Sequence, residues 1–215
     1  MKNEHKYSHV IWDWNGTLFD DVNWCIEVLN TMLVKRSLKT ISSVREYHSV
    51  FCFPVIDYYR NVGFDFNKEP FEDLAAEFIE LYHSNHSGNC TLYPDTESVL
   101  AEVRRMGIKQ VILSASQMSN LETQISSFDI IDYFDELLGL TDIYANSKVD
   151  IGKSYISRND IRSAVLVGDS RHDYEVAQEM GVESILISNG HQSKETLLSC
   201  GVPVLDNIGH VPRFL

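Results

Sequence analysis

Three apolar runs in this chain stop at side chains that could do chemistry together. His9-Val10-Ile11-Trp12 stops at Asp13, and the turn signal Asn15-Gly16 follows. Gln110-Val111-Ile112-Leu113 stops at Ser114, and Ala164-Val165-Leu166-Val167 stops at Gly168-Asp169, with Asp173 a helical turn further on. If the runs are neighbouring parallel strands, these groups meet in the crevice beyond the strands' carboxyl ends, where open α/β sheets bind ligands. Carboxylates converging there repel unless a proton or cation neutralises them. Magnesium with a phosphate group meets that need, because it takes one or two carboxylates together with substrate oxygens.

The pattern around these residues supplies such a sheet. Further strands are expected at Phe134 to Leu138, at Ser184-Ile185-Leu186-Ile187, and at Val202 to Leu205, an edge strand because it contains Pro203. Glu97 to Met106 puts Val99, Leu100 and Val103 on one helical face and stops at Gly107. Leu121 to Phe128 and Asp173 to Met180 behave similarly, the latter stopping at Gly181. Strands alternating with helices imply a parallel sheet covered on both faces. Between Asp20 and Cys90 the rhythm breaks. Trp24, Val28 and Met32 recur at helical spacing, as do Leu74, Phe78, Ile79 and Tyr82, and no strand is expected. About 70 residues of helix is too much for one crossover, so residues 20–90 read as an inserted helical module, with 1–19 and 91–215 as the core. The fold class expected is α/β, a Rossmann-like sheet with a helical insertion.

Composition narrows the function. With 44% hydrophobic and 23% charged residues the chain is an ordinary globular one, which excludes disorder and a disulfide-scaffold miniprotein. Lys plus Arg is 18 and Asp plus Glu is 31, a formal charge of −13. That excess argues against nucleic acid or anionic membrane as a main partner, since both polyanions are repelled. No run approaches the ~18 apolar residues of a membrane span, and Met1 to His9 does not resemble a signal peptide. Cys25, Cys52, Cys90 and Cys200 lie far apart and are expected as reduced, buried thiols in a cytoplasmic protein, monomer or homodimer.

Asp13-Trp14-Asn15-Gly16-Thr17, after an apolar strand, resembles the nucleophile motif of the haloacid dehalogenase superfamily, usually Asp-x-Asp-Gly-Thr. Gly168-Asp169-Ser170-Arg171-His172-Asp173 resembles that family's fourth motif, and Val111-Ile112-Leu113-Ser114 its second. The third is a lone lysine ahead of the helix before Gly168. Lys148 lies 20 residues before Gly168 and Lys153 lies 15 before; a helix plus turn fits the longer interval better, so Lys148 is preferred. Gly152-Lys153-Ser154 is not a phosphate loop, because Ser147 stands where that motif needs glycine. The four motifs occur in the family's order over nearly the whole chain. The resemblance, which extends to phosphoglycolate phosphatases and related enzymes, implies that residues 20–90 are a cap. It also implies that Asp13 attacks phosphorus to form an aspartyl-phosphate. Backbone at Trp14 and Asn15, the Ser114 hydroxyl, the Ala115 N–H and Lys148 would hold the phosphoryl group, with Ser116 the fallback for Ser114 if the register is off by two. Asp13, the Asn15 carbonyl, Asp169 and Asp173 would serve Mg2+.

One departure matters. The family's phosphatases use the second Asp of the first motif as general acid and then base, and here that residue is Asn15. An amide cannot give up a proton at neutral pH, and general acid–base help is worth about 10²–10⁴-fold. The expectation is a magnesium-dependent hydrolase of small phosphorylated metabolites, weak toward alkyl phosphates. Two rivals stand beside it. One is a phosphate-binding or regulatory protein with little turnover. The other is a phosphonate hydrolase, for which the cap lysines Lys35, Lys39 and Lys68 carry no marker of a Schiff-base role. Phe51, Phe53, Tyr58 and Tyr59, with Arg60 beside them, are expected as cap core that can also close over substrate. His83 and His86 read as packing or surface residues. His191, after the fifth strand, sits near the rim of the site. Trp12 and Trp14 are placed on alternate faces, Trp14 packing against the cap.

Overall fold

The computed structural model describes residues 5–84, 90–140 and 147–215. The chain begins with β1 (His9–Trp12) and β2 (Phe19–Asp20), then four helices, α1 (Val22–Lys35), α2 (Val44–Val50), α3 (Val55–Asn61) and α4 (Phe71–Ser84). β3 (Thr91–Leu92), α5 (Thr96–Arg105), β4 (Lys109–Gln117), α6 (Met118–Ser126) and β5 (Glu136–Leu140) follow. The last part runs α7 (Lys148–Arg158), β6 (Ala164–Gly168), α8 (Arg171–Met180), β7 (Glu183–Ile187), α9 (Lys194–Leu198) and β8 (Val204–Leu205).

Six strands form one parallel sheet in the order β5-β4-β1-β6-β7-β8. β1 is central, with Trp12 level with Ile112 on one side and Val167 on the other. Side chains alternate between two helical layers, as the two-residue strand period requires. Val10, Trp12, Ile112, Val165 and Val167 pack with α5 and α6, whereas Ile11, Val111, Leu113 and Leu166 pack with α7 and α8. The expected α/β sheet covered on both faces is therefore the fold. Trp12 and Trp14 share the first of these clusters rather than lying on alternate faces, because they are two residues apart.

The second strand differs from expectation. It does not end at Ser114 but runs to Gln117, with a register shift between Leu113 and Gln117. The apolar run stops where regular pairing breaks; the polar residues beyond it rejoin at Gln117, opposite Leu140. The edge strand keeps only Val204 and Leu205, since Pro203 has no N–H to pair and offers its carbonyl to Leu186 instead. Where the sequence shows no strand near the insertion, β2 and β3 form an antiparallel pair, Phe19 opposite Leu92 and Asp20 opposite Thr91. These two connectors carry the chain into and out of α1 to α4. The helices have their own core of Leu29, Met32, Leu33, Tyr47, Tyr59 and Leu74. All four cysteines are free, as expected, but only Cys25 is fully buried; Cys52, Cys90 and Cys200 are half-buried. Among the described residues no helix is long and apolar enough to cross a membrane.

Candidate active site

The loop after β1 is folded tightly. The Trp14 carbonyl accepts the N–H groups of Thr17, Leu18 and Phe19 at 3.2, 3.0 and 3.0 Å, and the Gly16 N–H bonds the Phe19 carbonyl at 2.8 Å. Gly16 has φ +76°, and a Cβ there would collide with the Asp169 carboxylate and the His191 ring. Gly190 likewise leaves room for Asp169. Only glycine meets both demands at position 16.

Asp13, Asp169 and Asp173 are buried, and their carboxylate oxygens lie within 4.8 Å of one another. Lys148, the first residue of α7, donates to Asp13 Oδ1 and to Asp173 Oδ1, each at 2.6 Å. Thr17 Oγ1 donates to Asp13 Oδ2 at 3.1 Å, and the His191 N–H donates to Asp169 Oδ2 at 2.5 Å. Asp173 also closes a capping box with Ser170 at the start of α8, so it fixes a helix end and a lysine at once. Lys153 lies on the surface, paired with Glu179 at 2.8 Å. Ser114 is buried beside the cluster, its Oγ accepting from the Ser116 N–H at 3.0 Å.

Charge in this cluster is unbalanced. Three carboxylates face one ammonium, an excess of two negative charges when all are ionised. Burial, with the charge of Asp173, raises Asp13 to about 6 against the pull of Lys148. Burial also raises Asp169 to about 8; His191 opposes this, while Asp13 and Asp173 add to it. Burial would lower Lys148, but the two aspartates outweigh it and raise its pKa. Asp173 is held low by Lys148 despite its burial. Without a cation the cluster thus favours bound protons. A hard dication with oxygen ligands fits this donor set, since it would replace those protons.

A second buried cluster lies beside the first. The Asp21 carboxylate, just ahead of α1, accepts from Tyr82 OH at 2.7 Å and Asn15 Nδ2 at 2.8 Å, and pairs with His191 Nε2 at 3.1 Å. Tyr47 OH meets His191 Nδ1 at 2.9 Å. Burial would lower His191, but Asp21, with Asp169 and Asp13, raises it to about 9; Asp21 is held low in return by His191, against its own burial. Asn15 is engaged at both ends, because its Oδ1 accepts from Ser116 Oγ at 3.1 Å.

Over both clusters lies a cavity of about 550 Å³. Asp13, Asn15, Ser114, Ala115, Lys148, Asp169, Asp173 and His191 form its floor, and Phe51, Tyr58, Phe78 and Tyr82 from the helical insertion form its walls. Besides Tyr47, two further rings cross the gap between insertion and core. Phe53 stacks on His172 at 4.7 Å, and Phe51 lies 5.3 Å from His191. Trp14 behaves differently from expectation. Its ring stacks on Phe19 at 5.2 Å and bonds Gln124 at 2.9 Å, within the core instead of against the insertion, because the tight loop turns it inward. His83 bonds Asn120 and lines the cavity, while His86 lies outside the described residues. Arg60 is exposed and paired with Asp57. Asp21 and Tyr47 carry no signal in the sequence and Tyr82 shows only helical spacing, because only the folded insertion brings them to His191.

A family profile described as haloacid dehalogenase-like hydrolase matches residues 10–187. The chain belongs to that family. This haloacid dehalogenase-like hydrolase is 24% identical to a phosphoglycolate phosphatase of Rhodobacter capsulatus, over 95% of this chain and 91% of the relative. Its fold is that of a haloacid dehalogenase-like hydrolase from Streptococcus pneumoniae, with TM-score 0.77 at 17% identity, covering 97% and 98% of the two chains. It is equally that of the protein tyrosine kinase A of Mycobacterium tuberculosis, TM-score 0.80 at 20% identity, covering 97% and 98%. Likeness at such identity speaks for the fold, so the chemistry has to be argued from the site.

Proposed function

We propose that this hydrolase is a magnesium-dependent phosphatase of small phosphorylated metabolites that works through an aspartyl-phosphate on Asp13. The observation that carries this is Asp13 itself. It is buried at the cavity floor, with Lys148 at 2.6 Å linking it to Asp173 and with Asp169 beside it. Magnesium would be held by the Asp13 and Asp169 carboxylates and the Asn15 carbonyl, with Asp173 placed for its water shell. When bound it would supply positive charge to the phosphoryl oxygens. Asp13 presents one carboxylate oxygen to phosphorus, and Lys148 neutralises both that carboxylate and the incoming phosphate. Ser114 Oγ, the Ala115 N–H and the Trp14–Asn15 backbone receive the remaining phosphoryl oxygens. Residues 20–90 form the cap that excludes water and selects the leaving group, over a core of 1–19 and 91–215. Four free thiols suit a reducing compartment, and we place the protein in the cytoplasm.

The test is phosphate release from one aryl and one alkyl phosphate, with and without magnesium. Asp13→Asn should lower release by at least about 10⁴-fold, as loss of a covalent nucleophile does. A second reading, a phosphate-binding protein with little turnover, is favoured by Asn15 alone. It gains the ground if the wild type and Asn15→Asp both bind magnesium and phosphate yet release none. Phosphonate cleavage is disfavoured, since Lys35, Lys39 and Lys68 pair with Glu77, Glu46 and Asp65 at the surface.

A further inference from the structure

Resting on the phosphatase reading, a narrower statement follows from the walls of the cavity and the chemistry of its floor. We propose that the site selects aryl phosphates, in which the leaving group is a phenol-like aromatic alcohol, over phosphates of small anionic alcohols such as glycolate.

The first observation is the wall. Phe51, Phe53, Tyr58, Phe78, Ile79 and Tyr82 line it. Phe53 is 41% and Ile79 54% exposed, although both are large and apolar. A planar apolar guest would cover them, and aromatic pairs add to that burial. The volume of about 550 Å³ leaves room for a phosphoryl group and a ring system.

The second observation is charge. Among the described residues lining the cavity, Lys148 is the one lysine or arginine, and it is bound to Asp13 and Asp173. Arg60 and Arg171, which adjoin lining residues in sequence, are exposed and paired with Asp57 and Glu175. His191 has its charge matched by Asp21. A carboxylate on the substrate, beside its phosphate, would be buried here without a guanidinium or ammonium partner, which is costly.

The third observation is Asn15, reached independently of the wall. Its amide gives no proton, and it is bonded to Asp21, Tyr82 and Ser116. The leaving oxygen must depart as an anion. Phenols ionise near ~10, whereas aliphatic alcohols resemble bulk water at about 16. The step is Asp13 Oδ bonding to phosphorus while the phosphorus–oxygen bond to the aryl group breaks. The electron pair stays on the aryl oxygen, which takes its proton from solvent water. Water then bonds to phosphorus, the bond to Asp13 breaks with its pair returned to the carboxylate, and the water's surplus proton passes to phosphate or solvent. The sum is aryl phosphate plus water giving phenol plus inorganic phosphate. No base at position 15 helps the second half, so the phosphoenzyme should accumulate.

Four substrates separate leaving-group acidity from cavity filling. 1-Naphthyl phosphate has both, acetyl phosphate the first, benzyl phosphate the second, and phosphoglycolate neither. With magnesium, kcat/KM for 1-naphthyl phosphate should exceed that for phosphoglycolate and for benzyl phosphate by at least about 100-fold. It should exceed that for acetyl phosphate by at least about 10-fold from apolar burial. A burst of 1-naphthol close to one per enzyme should precede steady turnover. Ile79→Arg, at an exposed position, should shift the naphthyl-to-glycolate ratio down by about 10-fold or more. Phosphoglycolate or acetyl phosphate equalling 1-naphthyl phosphate overturns the proposal and leaves the phosphatase reading standing. If no substrate releases phosphate, that reading fails. Calorimetry on Asp13→Asn then decides the cavity separately: 1-naphthyl phosphate should bind at least about 10-fold tighter than inorganic phosphate, and equal binding sinks the selectivity as well.

Discussion

Two buried charge clusters share the floor of one cavity, and they are solved in opposite ways. Asp13, Asp169 and Asp173 outnumber Lys148, so Asp13 and Asp169 are pushed up to about 6 and about 8, mainly by burial. Asp21 instead meets one histidine, a tyrosine hydroxyl and an amide, and it is held below the ordinary carboxylate range. The first cluster is built from two strand ends and two helix starts of the core and is short of positive charge. The second joins the core loop after β7 to the helical insertion and is neutral by itself. An excess of buried negative charge is what a cation site needs; a matched pair is what a structural tie needs.

Asn15 stands between the two, and Asn15→Asp should give the largest effect. A carboxyl at 15 would lie where Nδ2 now meets Asp21 at 2.8 Å. Two like charges so close favour a retained proton, which is what a general acid requires. Turnover of benzyl phosphate should rise by about 10²–10⁴-fold, and that of 1-naphthyl phosphate far less. A pH–rate profile should gain an acid-dependent limb. Equal gains for both substrates would mean that the missing proton is not the limit.

Next in size is removal of the single cation from each cluster. Lys148→Met leaves Asp13 and Asp173 without their shared donor and should cost the metal-free protein about 3–5 kcal/mol in denaturant unfolding. Magnesium should restore part of it. His191→Gln should cost less, because Asp21 keeps Asn15 and Tyr82. If the two variants lose the same stability, the contrast between the clusters is wrong.

The contrast also explains what could be read in advance. β1, β4, β6 and β7 are apolar runs that end in a polar residue, and that pattern alone located Asp13, Ser114 and Asp169. Lys148 over Lys153 followed from the room a helix needs, and the structure puts the former between Asp13 and Asp173. The second cluster left no such trace. Asp21 is separated from Tyr47, Tyr82 and His191 by 26, 61 and 170 residues. It is assembled by tertiary packing of α2 and α4 over the sheet, which no local period records. The extension of β4 to Gln117 and the short β2–β3 pair were missed for a related reason. β2 and β3 are two residues each, too short to show a period, and the end of β4 pairs one polar residue, Gln117, across a register shift.

A smaller effect separates the clusters by pH. Asp13 and Asp169 have folded pKa values above their ordinary 3.8. Each therefore contributes stability at low pH that is lost as pH rises through the folded value. The metal-free protein should weaken between about pH 4 and 8 on this account. Magnesium, which competes with those protons, should raise Tm more at pH 9 than at pH 6. At 100 times its Kd, binding is worth about 2.7 kcal/mol. Asp169→Asn should flatten the difference between the two pH values. Equal shifts at both pH values in the wild type would place the cation elsewhere.

The smallest change tests whether the second cluster is the ion pair it is drawn as. Tyr47 OH meets His191 Nδ1 at 2.9 Å, while its ring is held by Phe51 at 5.2 Å and Tyr58 at 5.9 Å. Tyr47→Phe keeps the ring and removes one hydrogen bond, a loss of about 1 kcal/mol if the partner is neutral and about 1.5–3 if it is charged. His191 has a folded pKa raised to about 9, so its contribution is complete below the ordinary 6.5 and is lost as pH rises through 9. An imidazolium donates from both nitrogens, to Asp21 and to Tyr47; the neutral ring donates from one nitrogen only and accepts at the other. The penalty of Tyr47→Phe in urea unfolding should therefore be greater at pH 6 than at pH 9.5. A penalty that does not change with pH would mean that His191 stays neutral against Asp21, and the two clusters would then differ in size but not in kind.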